Sequence, residues 1–447
     1  MYFDVILVGA GLSGLTAALR LQNLGFRTAI IEQRDQVGGL CGTFIHRGHE
    51  FVIACNDFGQ GLKNELDSLA CDFKFLTPRS RFYFAHTSLE IPATFRTMWH
   101  LLPYFTEIIK LIRVAKKEKI ITLGTLLEQH CRSMPVADMA CLIGYATGRT
   151  PQDINLRHLG AEFDKKFNYG YEQPITPKGG TQALSQQLAN DYIKRGGRLF
   201  LNQQVEHIER TKSVFKVQTS IQNWHAQKVI SSKPHPDFIA QPHKTGLPLS
   251  MLLIAARDQV PYPVNHHTIC HFPAHATHWM KQLDMGVMPE QFGFHIFKSD
   301  LINQTKTCTM NVYFYLPRGM MRPSKTLEVQ IYKYIWHYLE LMIPGMKPYI
   351  LDESFVWADD FLNLHQLSST PMPMVHLEHN YKKPASLDSS TGIYHIGNSV
   401  FPYGEHIGAA VVSARLAVEQ ITQEITPSHI QPFKQDTPMQ DQKRKNA

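Results

Sequence analysis

The chain contains no paired cysteine motif. Its seven cysteines, Cys41, Cys55, Cys71, Cys131, Cys141, Cys270 and Cys308, show no Cys-x-x-Cys spacing, and an odd number scattered over 447 residues does not read as a disulfide framework. Reduced thiols in a cytoplasmic setting are therefore expected. No 18 apolar residues run uninterrupted, and no basic leader precedes the first apolar stretch, which carries Asp4. Neither a membrane-spanning nor a secreted protein is expected. Long blocks of one charge are missing too: 45 basic against 38 acidic residues give +7, spread along the chain. That distribution lacks the concentrated basic footprint of a nucleic-acid-binding protein, while a weakly anionic partner surface stays compatible with it. What the chain does have is 43 % hydrophobic content, enough for large buried cores in about two or three domains.

Residues 3–44, FDVILVGAGLSGLTAALRLQNLGFRTAIIEQRDQVGGLCGTF, carry the most specific signal. Val5, Ile6, Leu7 and Val8 form a continuous apolar run, as in a parallel strand covered on both faces. Gly9-Ala-Gly11-Leu-Ser-Gly14 follows at once, and Leu15, Ala18, Leu19, Leu21 and Leu24 then keep a helical stripe until Gly25 ends it. In such a unit Gly9 permits the tight turn, Gly11 lets the backbone approach a pyrophosphate, and Gly14 lets the helix pack closely on the strand. The helix N-terminus presents unpaired N–H groups and about half a positive charge from the aligned peptide dipoles, so an anion is favoured there. A second strand at 28–31 ends in Glu32, placed to accept hydrogen bonds from a ribose. A glycine fingerprint alone is weak evidence. Strand, turn, helix, second strand and acid in this order make a bound dinucleotide the expectation.

Beyond Glu32 come Arg34, Asp35 and the pair Gly38-Gly39, an extension that a nicotinamide-binding unit does not require. With it, the stretch resembles the flavin-dependent amine oxidase, protoporphyrinogen oxidase and phytoene desaturase superfamily, whose second strand is followed by an acidic residue, a basic residue and paired glycines. The resemblance implies FAD as cofactor, with Glu32, Arg34, Gly38 and Gly39 beside its ribose, pyrophosphate or flavin. Leu40 stands where many members carry arginine, which removes one polar flavin contact.

Two later blocks extend the resemblance. Residues 177–218 read as a helix capped by Thr181, striped by Leu184, Leu188 and Tyr192 and stopped at Gly196-Gly197. Short strands at 199–201, 205–208, 214–217 and 228–232 follow, and by resemblance the backbone of Val205 meets the adenine end. Residues 392–421, GIYHIGNSVFPYGEHIGAAVVSARLAVEQI, read as a strand at 393–396, a turn at Gly397-Asn398 and a helix at 409–421. The resemblance assigns Gly397 and Asn398 to the ribityl-phosphate region, with Asn398 in place of the usual aspartate. It also aims the positive end of the last helix, near Ile407, at the flavin pyrimidine.

The fold class implied is α/β: a Rossmann-type FAD-binding domain, discontinuous in sequence, with an inserted α+β substrate domain. The first is assembled from 1–80, 177–235 and 392–425, the second from 81–176 and 236–391, and 426–447 form a polar tail expected to be disordered. Only one Gly-x-Gly-x-x-Gly occurs. Electrons would therefore pass to oxygen, a quinone or another external carrier rather than to a second nicotinamide domain.

The inserts are rich in aromatics: Phe82-Tyr83-Phe84, Trp99, Tyr104-Phe105, Tyr313-Phe314-Tyr315, Tyr332, Tyr334, Trp336 and Tyr338. Singly these read as core; as a set, beside the resemblance, they tilt toward an elongated apolar cavity and a hydrophobic substrate. The loop PYGEHIG at 402–408 brings forward Tyr403, Glu405 and His406 as candidate catalytic acid, base or substrate contacts, against the simpler reading that they hold the loop. Residues 95–119 place Trp99, Leu102, Phe105, Ile109 and Ile112 at helical spacing, with Lys110, Arg113, Lys116 and Lys117 toward the end and a break at Pro103. That pattern suits either a cover for the protein's own core or a peripheral membrane contact. His266, His267, His271, His275 and His278 crowd Cys270, but Pro273 interrupts them, so a histidine-rich loop and no metal site is expected. The reaction implied is hydride transfer between flavin N5 and a hydrophobic, isoprenoid or polyene substrate. The same scaffold also admits a redox-neutral isomerase or mutase, or a flavin-free lipid or prenyl carrier.

Overall fold

The computed structural model describes residues 1–427 except 57, 86, 119–120, 163–165, 168, 213, 300–305, 365–371 and 379–380. The tail expected to be disordered lies, from 428 onward, outside the described residues.

Two seven-stranded sheets organise the chain. In the first, Arg198–Phe200, Thr28–Ile31, Tyr2–Val8 and Asn223–Ser231 lie side by side and parallel. Val214–Thr219 and Val205–Thr211 continue it antiparallel, and Tyr394–His395 adds a parallel pair beside the end of Asn223–Ser231. Alternation from Val5 to Val8 divides the side chains of this strand between two cores. Val5 and Leu7 pack under helices Leu12–Asn23, Gly180–Lys194 and Ile407–Glu424, whereas Phe3, Ile6 and Val8 meet Phe215, Val217 and Trp224. Burial on both faces is why that strand is apolar from Val5 to Val8. The parallel strands share one direction, so Val8, Ile31, Ser231 and His395 end on the same edge, where an open parallel sheet binds its ligands.

The second sheet runs Ile350–Val356, Leu249–Arg257, Thr307–Tyr315, Phe294–Ser299, His266–Phe272, Arg79–Phe84, Thr87–Ile91. It is antiparallel except where His266–Phe272 meets Arg79–Phe84. Tyr313, Phe314, Tyr315 and Trp336 are buried in its core, with Phe82, Tyr83, Phe84, Tyr332, Tyr334 and Tyr338 packed against it. These aromatics build the sheet's own interior. The hairpin Thr43–His46 and His49–Val52 ties the two units: Thr309 Oγ1 donates to the Glu50 carbonyl at 2.8 Å, and Asn311 Nδ2 to that of Val52 at 2.9 Å.

Several local expectations change. Thr181 is not a cap; the helix starts at Gly180 after Gly179 in a left-handed conformation, and the Thr181 hydroxyl has no hydrogen-bond partner. Leu24 lies at the helix end and is exposed, outside the stripe. The last strand shrinks to Tyr394–His395, and the last helix lengthens to Ile407–Glu424. The histidine segment is no loop: His266–Phe272 is an inner strand and Ala276–Asp284 a helix, with Pro273 between them. Its buried Ile269, Cys270 and Phe272 outweigh the polar histidines between them, which tertiary contacts satisfy; His267 Nδ1 lies 2.8 Å from the Lys298 carbonyl. Among the described residues no three His, Cys, Asp or Glu side chains group as metal ligands, and no helix is long and apolar enough to cross a membrane. All seven cysteines are free. Residues 95–117 do break at Pro103, into Phe95–Leu101, a 3-10 turn Leu102–Tyr104, and Phe105–Lys117.

Burial in the second sheet pushes the His271 imidazole down to about 3, with His337 adding repulsion, and burial alone pushes His295 down to about 4. Both stay neutral in the folded chain while the unfolded chain takes up protons below about pH 6.5. Stability is therefore complete above that pH and falls as the pH drops toward 4, by about 3 kcal/mol per histidine. Urea unfolding between pH 7.5 and 4.5 should show this slope, and His295→Phe should make it shallower by one histidine's share, His271 and the other buried imidazoles keeping theirs; a wild-type profile without slope contradicts the assignment.

Candidate functional site

The chain leaves Tyr2–Val8 through Gly9, Ala10 and Gly11 and enters Leu12–Asn23. Gly9 has φ 106°, and a Cβ on it would lie 2.0 Å from Ser232 Oγ. One on Gly14 would lie 2.1 Å from the Gly9 carbonyl oxygen. These two glycines are demanded by the turn itself. Gly11 is different: it precedes the helix in an extended conformation, gives no side-chain cap, and a Cβ built on it meets nothing within 4 Å.

Gly38-Gly39 runs beside this turn. Gly38 N donates to the Ala10 carbonyl at 2.9 Å, and a Cβ on Gly39 would stand 3.4 Å from Gly11 Cα. Glu32 is buried at the strand end, its Oε2 accepting from Ala10 N at 2.7 Å and its Oε1 from Arg34 N at 3.0 Å. Arg34 is buried with Nη1 lacking a hydrogen-bond partner, and burial draws its pKa below the ordinary value against the opposing pull of Glu32 and Asp35. Gln203 N donates to the Glu32 carbonyl at 2.9 Å, which brings buried Val205 to the same edge. Leu40 holds the adjacent 3-10 turn through its carbonyl, which accepts from Cys55 N at 3.1 Å.

The C-terminal element supplies a second approach. Gly397 has φ 105°, its side toward a Cβ is open within 4 Å, and its N–H donates to Ser413 Oγ at 2.8 Å. Asn398 Oδ1 is buried and without a hydrogen-bond partner. Helix Ile407–Glu424 packs on Leu12–Asn23 through Val411, Ala414, Leu12 and Leu15. An uncapped helix start with room at Gly11, a fixed carboxylate at Glu32, an orphaned guanidinium nitrogen on Arg34 and an orphaned amide oxygen on Asn398 suit an extended ligand carrying both phosphates and hydroxyls. The residues present fit FAD.

Between Gly397 and the last helix, one buried lysine organises the loop. Lys383 Nζ donates to the carbonyls of Asn398 at 2.5 Å and Gly404 at 3.0 Å, and pairs with Glu405 Oε1 at 3.0 Å. Nothing in the local sequence around Lys383 marks it; only burial and the convergence of distant carbonyls do. Tyr403 stacks on His158 at 4.3 Å between ring centroids. His406 does something else: its Nδ1 accepts from Ala409 N at 3.2 Å and caps the helix. Surrounding atoms, with repulsion from Lys383 and Arg149, push His406 down to about 3, so its imidazole is neutral near pH 7.

A cavity of about 140 Å³ opens beside this loop. Tyr403 and Glu405 line it, together with Arg149, Asp153, His158 and Tyr381, while Met374, Val375 and Leu377 add apolar surface. His406 is not part of its lining. Tyr381 stacks on His376 at 3.7 Å, and neither the buried Tyr381 hydroxyl nor the His376 ring nitrogens have a hydrogen-bond partner. Burial, and then nearby positive charge, push His158 and His376 down to about 4, against the His158 hydrogen bond to the Tyr381 carbonyl. Tyr381, His158 and His376 come from segments in which the sequence shows no motif.

Comparison with known proteins agrees with this geometry. A family described as flavin containing amine oxidoreductase matches residues 12–238. Among solved structures, cyclohexylamine oxidase from Brevibacterium oxydans superimposes with a TM-score of 0.67 at 12 % identity, covering 94 % of this chain and 99 % of that one. An oxidoreductase from Methanosarcina mazei gives 0.64 at 14 % identity, covering 95 % and 100 %. At such identities the likeness is one of fold. Curated relatives match locally: a Danio rerio protein described as inactive all-trans-retinol 13,14-reductase is 44 % identical over 69 residues, 15 % of this chain and 11 % of that protein. Phytoene desaturase of Fusarium fujikuroi is 43 % identical over 48 residues, 11 % of this chain and 8 % of that protein. The chain thus aligns with about a tenth of these relatives' length. With half of its residues matched by the family and the parallel-edge cradle in place, the chain belongs to the flavin containing amine oxidoreductase family, whose cofactor is FAD.

Proposed function

We propose that the protein is an FAD-dependent oxidoreductase that moves a hydride between flavin N5 and a substrate with a hydrophobic, isoprenoid or polyene body and a polar end. FAD, when bound, supplies the hydride-accepting centre. The observation that carries the reading is the two-sided cavity against the Tyr403–Glu405 loop: Met374, Val375 and Leu377 offer apolar surface, and Arg149, Tyr381 and Glu405 offer polar groups. The relatives named for retinol and phytoene, both polyenes, support the same class.

The chain's own groups then have separable tasks. Asp153 is committed to Arg318 at 2.7 Å and Lys244 at 2.8 Å, so it shapes the wall. Glu405, held by Lys383, is the carboxylate on the loop itself and would take the proton that leaves a neighbouring carbon when a hydride is removed. His158 and His376, neutral above about pH 4, donate or accept hydrogen bonds without adding charge.

Holoprotein mixed anaerobically with retinol, a longer polyene and a simple primary amine tests this. Either retinoid or polyene should bleach the oxidised flavin band, or restore colour to chemically reduced protein. Bleaching by the amine alone overturns the substrate class; conversion of a polyene with no change in flavin colour assigns an isomerase instead.

A further inference from the structure

Apolar side chains are exposed on one stretch of the substrate domain to an unusual degree. In Phe95–Leu101 and the turn and helix that follow, Phe95 is 85 % exposed, Trp99 66 %, Leu102 64 %, Phe105 57 % and Met98 55 %. Phe95, Trp99, Leu102 and Phe105 succeed one another at intervals of three or four, with Met98 beside Trp99, so they form one stripe. Opposite the stripe sit its anchors, Thr97 and Leu111, the buried residues of these elements. Thr97 Oγ1 accepts from Glu90 N at 3.0 Å, Thr94 Oγ1 caps the helix by accepting from Thr97 N at 3.1 Å, and Leu111 enters the core of the second sheet. The element is therefore fixed with its greasy side outward. A contiguous apolar face of this kind is normally covered by something.

Charge identifies the occupant. Arg96, Lys110, Arg113, Lys116 and Lys117 are exposed along the same stretch. Glu107 is the one acid between 92 and 117, and its Oε1 accepts from Arg132 N at 2.7 Å. A second copy of the chain seated face to face would oppose these cations with an identical set. An anionic lipid surface accepts both features: aromatic and aliphatic side chains enter at headgroup depth while lysine and arginine pair with the headgroups.

We propose that residues 95–117 are a docking face for anionic phospholipid membranes, with Phe95, Trp99, Leu102 and Phe105 inserted and the basic residues at the headgroups. The face would seat the protein on the bilayer without crossing it. This goes beyond the oxidoreductase reading and does not depend on it, since adsorption requires no turnover.

The test is co-sedimentation of the FAD-loaded protein, at low salt, with vesicles of phosphatidylcholine alone or with roughly a third phosphatidylserine. Wild type should pellet with the phosphatidylserine vesicles and bind at least about tenfold more weakly to phosphatidylcholine or at high salt. Phe95→Ser with Trp99→Ser should weaken binding by roughly a hundredfold. Arg113→Gln with Lys116→Gln and Lys117→Gln should abolish the preference for phosphatidylserine. All these side chains are exposed, so melting temperature and flavin content should not move. Wild type that remains in the supernatant, or a Phe95→Ser/Trp99→Ser protein that binds as wild type does, overturns the proposal. So does a dimer in sedimentation velocity that the same double variant dissolves, which would give the face to a second copy.

Discussion

Gly11→Val protein should fold, melt close to the wild-type temperature, and lose at least about a hundredfold in affinity for FAD. The expectation follows from the difference between neighbouring glycines. Gly11 is extended, a conformation valine adopts readily, and a Cβ there touches no atom within 4 Å. The added Cβ therefore meets open space, and the side chain fills the room through which a phosphate reaches the helix N-terminus. Gly14→Ala should behave in the opposite way: its Cβ would lie 2.1 Å from the Gly9 carbonyl oxygen, so the helix must move off the strand. A stability loss of about 2 kcal/mol or more is expected there before any question of cofactor arises. Thermal melting of the apoproteins beside FAD titration distinguishes the pair. Gly11→Val that binds FAD normally would mean that the phosphates lie elsewhere.

The second large effect belongs to Lys383. Its ammonium is almost fully enclosed and serves two carbonyls and Glu405 at once. Lys383→Met leaves a carboxylate without its cation and two carbonyls without their donor, for an expected loss of about 3 kcal/mol measured by urea unfolding. Because those carbonyls belong to Asn398 and Gly404, the loop along the cavity should loosen as well, and FAD should be held less tightly. Adding Glu405→Leu removes the stranded charge and should recover part of the stability, since apolar replacement of a whole buried pair is far less costly than breaking it. Lys383→Met protein as stable as wild type would show that the ion pair does not hold the loop.

What the sequence made legible, and what it did not, divides along physical lines. The opening strand, turn and helix were readable because they leave a continuous local pattern: double burial makes Val5 to Val8 apolar, the positive φ of the turn calls for Gly9, and the close approach to the Gly9 carbonyl calls for Gly14. Glu32 and Gly38-Gly39 were readable from their order after the second strand, although the bonds that place them, from Ala10 N to Glu32 and from Gly38 N to the Ala10 carbonyl, reach back to the first turn. The Pro103 break was legible from the ring's missing donor. By contrast, the strand His266–Phe272 was hidden because His267 and His271 find their partners far away, in the Lys298 and Asn56 carbonyls and the Tyr334 hydroxyl, and local polarity suggested a loop. Tyr394–His395 is shorter than its apolar run because pairing partners, not propensity, set its length. Lys383, Tyr381 and His158 reach the cavity only through the tertiary fold, and no spacing rule connects them with 403–405. His406 shows the limit from the other side: the loop was recognisable, but which of its residues face the cavity depended on one helix cap.

The central claim is that the C-terminal edge of the parallel sheet, the Gly9–Gly11 turn and the Gly397–Asn398 turn jointly hold one FAD. Its most direct measurement is the flavin content of the purified protein, read from its visible spectrum and from cofactor released on denaturation, followed by titration of stripped protein with FAD. One FAD per chain is expected, recovered on titration of the wild type and not of Gly11→Val. A colourless protein that takes up no FAD when titrated would contradict it.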